Sequence, residues 1–544
     1  MLKFKTILVL AITILVFTNS TYSQNADKPK LVVGIVVDQM RYDYLNRFAD
    51  LYTENGFKRL LAEGTNFTYA HYNYSLTKTG PGHTTIYTGT SPYYHGIMSN
   101  DWYDKNTKQM TNCVDDASVK SVGSDDEVGK KSPHLSMSTT ITDQLKLSTN
   151  GTSKVVSVSI KDRAAILPGG KMADVALWYD GYTGDFISST YYCDKLPEWV
   201  NEFNNKNLPD EFLKQDWTLS NPESDYARCA ADNSDCEYDV FNEGKTSFPH
   251  SFAKVDEKER YDVLTVTPFA NTLVAELAKT ALVSENLGKG STTDFLAVSF
   301  SAPDAIGHSY GTESYEIEDT YIKLDITIAD LLETLDEQVG KGNYLLFLTA
   351  DHGAVTTPAI LKERHLPTGT AGSREAIGDM LSFLKNKFGV DNLIENHSNS
   401  QIYLDREVMA KNDIDIHEAE RVIADYLRDR FPTLAAIFTR DELEKLKATR
   451  LPDNTILNGF NVQRSGDVLY DLQPGYISGN IEKGTTHGTP YNYDTHVPMI
   501  FYGWNISQQA INDKAYTVDI AATVADLLGI TEPSACVGIP LIKK

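Results

Sequence analysis

Three apolar runs in this chain end on residues that bind metal ions, and that pairing narrows the possible folds more than any other feature. Leu31-Val-Val-Gly-Ile-Val-Val37 runs into Asp38, and Tyr344-Leu-Leu-Phe-Leu-Thr-Ala350 runs into Asp351-His352. Phe295-Leu-Ala-Val-Ser-Phe300 is followed closely by Asp304 and His308. Short, continuously apolar runs of this kind read as strands buried on both faces of a parallel sheet. The carboxyl ends of such strands open into one crevice. His487 brings the count to three Asp and three His, which gathered there would be enough for two N/O metal sites of three protein ligands each. Three ligands leave open positions, which is the catalytic pattern for zinc. Thr79 supplies a hydroxyl that could sit between the sites, and the set reads as a two-metal centre for phosphoryl-type transfer.

Helical patterns alternate with these strands. Arg41–Leu61, Thr267–Leu282, Glu316–Leu335 and Val518–Leu528 have helical apolar spacing; Lys154–Ile160 and Val497–Tyr502 read as further strands. The alternation predicts an α/β fold, a three-layer α/β/α sandwich with a mostly parallel central sheet. Two stretches interrupt it. Residues of about 170–260 are rich in Asp, Asn, Ser, Tyr and Trp and read as an insertion or lid. Residues of about 372–470 mix helices (Ala371–Phe388, His417–Phe431) with a short strand (Gln401–Leu404) and read as a second insertion of α+β type.

Residues 1–23 read as a cleavable signal peptide: Lys3 and Lys5, an apolar core from Ile7 to Phe17, then Thr21-Tyr-Ser23. A membrane anchor is the alternative, but the core is short for a span. The expectation is a periplasmic or secreted protein without stable membrane insertion. Formal charge is −24, or about −26 once the two lysines of the leader are removed. Bulk charge of that sign excludes attraction to nucleic-acid backbones or anionic lipid. It also repels anionic substrates, so a phosphate ester would need local cations. An oxidising compartment allows disulfides, and Cys229 and Cys236 are close enough in sequence to pair, though spacing does not fix connectivity.

Each candidate has a plain alternative. An Asp at a strand end is commonly a helix cap, and Thr before Gly-Pro commonly caps the helix that follows. Lys161-Asp-Arg163 after a buried strand could be a solvated loop. Equally, Arg offers a planar fork for phosphate oxygens and Lys a point charge. Asn100 is a neutral donor suited to a phosphoryl oxygen. Mixed imidazole and carboxylate ligands suit Zn²⁺, with Mn²⁺ or Fe as alternatives, and disfavour Mg²⁺ or Ca²⁺. Gly244-Lys-Thr246 resembles the end of a nucleotide phosphate loop, but Asp239 stands where that loop needs Gly. His83 reads as a structural residue supporting the Thr79 turn.

Taken together, Val-Val-Asp38-Gln-Met-Arg-Tyr-Asp43, Thr79-Gly-Pro-Gly-His-Thr84, His95-Gly-Ile-Met-Ser-Asn100-Asp-Trp-Tyr103, Lys161-Asp-Arg163, Asp304-Ala-Ile-Gly-His308, Thr349-Ala-Asp351-His-Gly353 and Gly484-Thr-Thr-His487 resemble the alkaline phosphatase superfamily. The likeness is to its type I phosphodiesterase/nucleotide pyrophosphatase-like branch, and within it to the phosphate-irrepressible (PafA-type) alkaline phosphatases of Bacteroidetes. It spans essentially the whole chain after residue 23. The resemblance implies two Zn²⁺ per chain, one on Asp38, Asp351 and His352 with Thr79 as nucleophile, the other on Asp304, His308 and His487. It implies a phosphothreonine intermediate, with Asn100, Lys161 and Arg163 on the non-bridging oxygens. Lys161 and Arg163 would favour dianionic monoesters over diesters, so small phosphate monoesters are the expected substrates and a diesterase the alternative. A monomer is expected. Gly80-Pro81 departs from the small and apolar residues usual after the nucleophile, which bears on substrate fit at Thr79.

Overall fold

The computed structural model describes residues 28–371, 374–446, 455–478 and 483–543; the expected signal peptide lies outside them. A ten-stranded sheet forms the centre. Its middle is parallel, in the order Tyr344–Thr349, Leu31–Val37, Asp294–Phe300, Val155–Ser159, Val175–Tyr179. Antiparallel pairs extend it on both sides, through Met499–Gly503 on one and Phe186–Ser189 on the other.

Every residue of Leu31–Val37 is buried because alternate side chains enter two different cores. Val33, Ile35 and Val37 pack with Leu273, Leu277, Leu324 and Leu331 of helices Phe269–Ser284 and Tyr315–Gln338. Val32 and Val36 face Ile86, Tyr87 and Val524 of helices Thr79–Thr88 and Asp519–Leu528. The result is the three-layer α/β/α arrangement expected from the alternation of strands and helices.

Two expectations need correction, and the open question of Cys229 and Cys236 is answered. Arg41–Leu61 is not one helix; it forms two short ones, Tyr44–Arg47 and Phe57–Glu63. Asp325 of the long helix intervenes, accepting hydrogen bonds from the Thr53 (2.7 Å) and Phe57 (2.6 Å) amides and so capping the second helix from outside. The first insertion does not begin near 170, since Val175–Tyr179 and Phe186–Ser189 belong to the central sheet. Those strands are short and sit among Asp, Gly and Thr, which hides them in a polar context. Cys229 and Cys236 are both free thiols, and Cys229 lies against Glu318 (Sγ–Oε2 2.9 Å).

Residues 394–472 build a separate four-stranded antiparallel sheet: Ile394–Ser398, Gln401–Leu404, Val468–Leu472 and Leu434–Thr439. It has its own core, in which Ile402, Ile423, Leu427 and Val468 meet. Among the described residues no helix is long and apolar enough to cross a membrane.

Candidate metal centre

The strand ends deliver the candidate ligands as the sheet topology requires. Asp38 directly follows the central strand, and Asp351 and His352 follow the neighbouring one; all three are fully buried. Ligand atoms of Asp38, Asp351 and His352 lie within 4.8 Å of one another, and so do those of Asp304, His352 and His487. His352 belongs to both clusters, stacked on His487 with ring centroids 3.5 Å apart. His308 stands one helical turn from Asp304 on Ala302–Tyr310, its Nε2 3.2 Å from Asp304 Oδ1. All six residues therefore meet at one centre.

Orientation of the imidazoles supports ligation. His308 Nδ1 donates to the Thr485 carbonyl (2.8 Å), His352 Nδ1 to the Gly353 carbonyl (2.9 Å) and His487 Nδ1 to the Thr77 carbonyl (2.6 Å). A carbonyl can only accept, so the proton sits on Nδ1 in each ring and Nε2 is left to face the carboxylates. Burial, then the nearby His352 and Lys78, hold His487 far below the usual imidazole pKa, so its Nε2 lone pair is free.

Among the carboxylates Asp351 is the one poorly compensated by neighbouring charge. Burial and then the facing Asp38 push Asp351 well above the usual carboxylate range. Asp38 Oδ1, Asp351 Oδ2 and His352 Nε2 are buried without a hydrogen-bond partner among the described residues. Buried polar atoms are seldom left so. A dication among these N and O donors would satisfy all three, so the residues fit a metal of the zinc type.

Thr79 is the first residue of helix Thr79–Thr88, and the residue capping that helix is Lys78, with no side-chain cap bond. The capping alternative for Thr79 is therefore set aside. Its hydroxyl stands at a helix N-terminus, where unpaired N–H groups favour an anion. The Gly80 amide donates to Asn100 Oδ1 (2.7 Å), which turns the Asn100 NH₂ outward. A Cβ on Gly80 would lie 3.0 Å from Cys113 Sγ and 3.2 Å from Asn100 Oδ1, so the glycine lets Asn100 close in. Gly82 is tighter still: a Cβ there would lie 2.4 Å from the Asp351 carbonyl oxygen. His83 donates to the Thr79 carbonyl (3.0 Å), meets Ser299 Oγ (2.8 Å) and lies 3.3 Å from Asp351 Oδ2. Burial lowers its pKa to about 4, as suits a neutral structural residue.

Lys161 caps helix Asp162–Gly169, and its ammonium contacts Asp38 (2.7 Å) and Asp304 at once. Burial opposes its charge, but Asp304 and Asp38 outweigh burial and raise its pKa. Arg163 is next on that helix, its guanidinium 3.5 Å from Asp162 and its Nε buried. Lys161 is thus held against carboxylates of the centre, and Arg163 is paired with Asp162 on the same helix rather than lying in a solvated loop.

Sequence reasoning missed the residues that bind these parts together. Gln39 has φ +63° and joins both carboxylate groups: its amide donates to Asp351 Oδ1 (3.1 Å) and its Nε2 to Asp304 Oδ1 (2.6 Å). Asp494 accepts from the Gly488 and Thr489 amides (3.0 and 2.7 Å), and its carbonyl accepts from Gly353 (2.7 Å). It ties the His487 loop to the Asp351-His352 loop. The first insertion helps from the other side, where the Cys236 carbonyl accepts from Gly484 (2.7 Å). Gln39 lies beside Asp38 in sequence, but nothing there shows where its side chain points; for Asp494 and Cys236 no local signal exists.

The family model for type I phosphodiesterase/nucleotide pyrophosphatase matches residues 32–496. The chain is 42% identical over 515 residues to the alkaline phosphatase PafA of Elizabethkingia meningoseptica, covering 94% of each. It is 41% identical over 531 residues to the alkaline phosphatase PhoV of Synechococcus elongatus (95% of this chain, 93% of the relative). A protein of Myroides odoratus named a calcium-transporting ATPase is 42% identical over 524 residues, covering 95% of each. The crystal structure of wild-type PafA superposes with a TM-score of 0.91 at 41% identity, covering 94% of this chain and 98% of that one.

Proposed function

The chain belongs to the type I phosphodiesterase/nucleotide pyrophosphatase family, and from that premise we propose that it hydrolyses phosphate monoesters to an alcohol and inorganic phosphate. The observation that carries the proposal is the convergence of three carbonyl-locked imidazoles and two unsatisfied buried carboxylates beside a helix N-terminus that begins with Thr79. Asp38, Asp351 and His352 would hold one Zn²⁺ and Asp304, His308 and His487 a second, which when bound would polarise the phosphoryl group, acidify the Thr79 hydroxyl and stabilise the leaving oxygen.

Thr79 Oγ attacks phosphorus; the P–O bond to the alcohol breaks, and the phosphoryl group resides on Thr79. Water then attacks phosphorus, the Thr79 Oγ–P bond breaks, and phosphate leaves. Asn100, fixed by the Gly80 amide, presents its NH₂ to a non-bridging oxygen. Once Asp38 and Asp304 act as ligands, the Lys161 ammonium is free for a second oxygen, with Arg163 beside it. A monoester dianion gains more from two cations than a diester monoanion does. The protein works as an exported enzyme cut after the first 23 residues, which N-terminal sequencing of the exported protein checks, and as a monomer, which light scattering checks.

The family also contains diesterases, so the decisive test is kcat/KM on p-nitrophenyl phosphate against its methyl diester. The monoester should be strongly preferred. The double variant Lys161→Ala/Arg163→Ala should lose about 10²–10³-fold on the monoester and far less on the diester. A diester preference in the unaltered protein, or equal losses in the variant, would transfer the site to the phosphodiesterase reading.

A further inference from the structure

A cavity of about 250 Å³ opens beside His487 and reaches into the second insertion. The main body contributes Lys78 and Asp494; the second sheet contributes Asn399, Tyr470 and Asp471, and Tyr476 follows on the short strand Tyr476–Ser478. The insertion is fastened at this point. Its hairpin turn, Asn399-Ser400, has φ of +52° and +56°. Asn399 Oδ1 accepts from the Ser99 hydroxyl (3.0 Å) and its Nδ2 donates to the Asp101 carbonyl (2.8 Å), the two neighbours of Asn100. The turn thus fixes one wall of the cavity to the loop that carries a phosphate-facing residue.

We propose that this cavity is the subsite for the alcohol of the substrate and that it takes a compact hydroxylated ring of monosaccharide size. The proposal rests on the phosphatase reading. Size is the first argument: pockets for drug-sized ligands run from about 300 to 1,000 Å³, so this one suits a single ring rather than a dinucleotide or an oligomer. Lining chemistry is the second. Tyr476 offers an aromatic wall. Lys78 donates to the His487 carbonyl (3.2 Å), and an ammonium carries three donors, so donor capacity remains. Asp471 accepts from the Ser75 hydroxyl (3.1 Å), and a carboxyl group has room for further bonds. An aromatic face flanked by an amine and a carboxyl group matches a ring that bears hydroxyls as both donors and acceptors. Position is the third: of the six candidate ligands only His487 lines the cavity, so an alcohol bound here leaves from the side of that residue.

The test compares hexose 6-phosphate with ethyl phosphate, two esters of primary alcohols whose intrinsic reactivity is similar. With the zinc-loaded full chain, kcat/KM should favour the hexose ester by about tenfold or more. Tyr476→Ala should remove about tenfold of that preference, what an aromatic contact of about 1.4 kcal/mol supplies, by lowering kcat/KM for the hexose ester far more than for ethyl phosphate. Equal rates for the two esters, or equal losses in the variant, would overturn the subsite while leaving the phosphatase reading intact. Calorimetry on the zinc-loaded Thr79→Ala protein supplies a readout without turnover. Hexose 6-phosphate should bind about tenfold more tightly than inorganic phosphate; binding no tighter overturns the proposal even if no ester is hydrolysed.

Discussion

The two candidate ligand sets are built in different ways. Asp38, Asp351 and His352 stand directly at the ends of adjacent central strands, and none of their side chains is exposed. Asp304 and His308 stand on a helix, and His487 arrives on a loop after the second insertion; the His308 side chain is 38% exposed. The first set is as rigid as the sheet. The second is assembled from parts held by Gln39, Asp494 and the Cys236 carbonyl. A centre in which Thr79 attacks from one side and an alcohol departs toward the other gains from this division. The attacking side is fixed, and the departing side can be shaped by insertions.

The largest expected effect is at the fixed side. Thr79→Ala should lower kcat/KM on p-nitrophenyl phosphate by about 10³-fold or more, as loss of a covalent nucleophile does. Metal content and thermal midpoint should stay near those of the parent. A variant that keeps its rate would remove Thr79 from the mechanism, and the division into attacking and departing sides with it.

Next comes a direct contrast of the sets. His308→Ala should take metal content from two ions to about one and cost about 10²-fold or more in rate, while the chelated protein keeps its stability. Asp351→Asn should also lose metal, but it should stabilise the chelated protein by on the order of 1 kcal/mol at pH 7. The sign follows from the pKa. Asp351 lies above the usual carboxylate range in the folded state because of burial and Asp38. Its contribution is therefore present at low pH and lost as pH rises toward and through the folded value, so at pH 7 the carboxyl group costs stability that a neutral amide does not. The amide N–H introduced by the substitution could also meet the unpaired Asp38 Oδ1. Chemical denaturation of both chelated variants decides the point; equal stability changes would mean that the sets are not built differently.

The same contrast governs what could be read from sequence. The fixed set announces itself, since Asp38 and Asp351-His352 follow apolar runs that can only be buried strands, and the parallel pairing of Leu31–Val37 with Tyr344–Thr349 brings their ends together. The central sheet was legible for the same reason. His487 follows Lys483-Gly-Thr-Thr486, which has no periodicity, so its place came through resemblance alone. Helix Thr79–Thr88 was legible from Pro81, but local signals favoured Thr79 as its cap. Only the backbone, with Lys78 extended at the cap position, puts Thr79 inside the first turn. Strands Val175–Tyr179 and Phe186–Ser189 were lost because five and four residues among polar neighbours carry too little periodic signal.

The smallest expected effect belongs to the residue that spans the comparison. Gln39 reaches Asp351 through its backbone and Asp304 through its side chain, so Gln39→Ala removes only the bond to Asp304, the side assembled from parts. Loss of such a supporting bond weakens metal binding by about 10–100-fold. The weakening should fall on one ion of the two. Titration with a chelator of known affinity, with metal counted at each step, should show the first ion leaving earlier than in the parent and the second unmoved. A parallel shift of both ions would mean that Gln39 couples the two sets into one unit. Gly307 makes this residue hard to replace with a larger one, because a Cβ on it would lie 1.9 Å from Gln39 Oε1. The side chain therefore already fills the space between helix and strand. Gln39→Glu keeps that volume but turns the donor facing Asp304 into an acceptor, and should weaken binding of the same ion. If the alanine and glutamate variants release that ion alike, the donated hydrogen bond positions Asp304; if only alanine does, filled volume is what holds it.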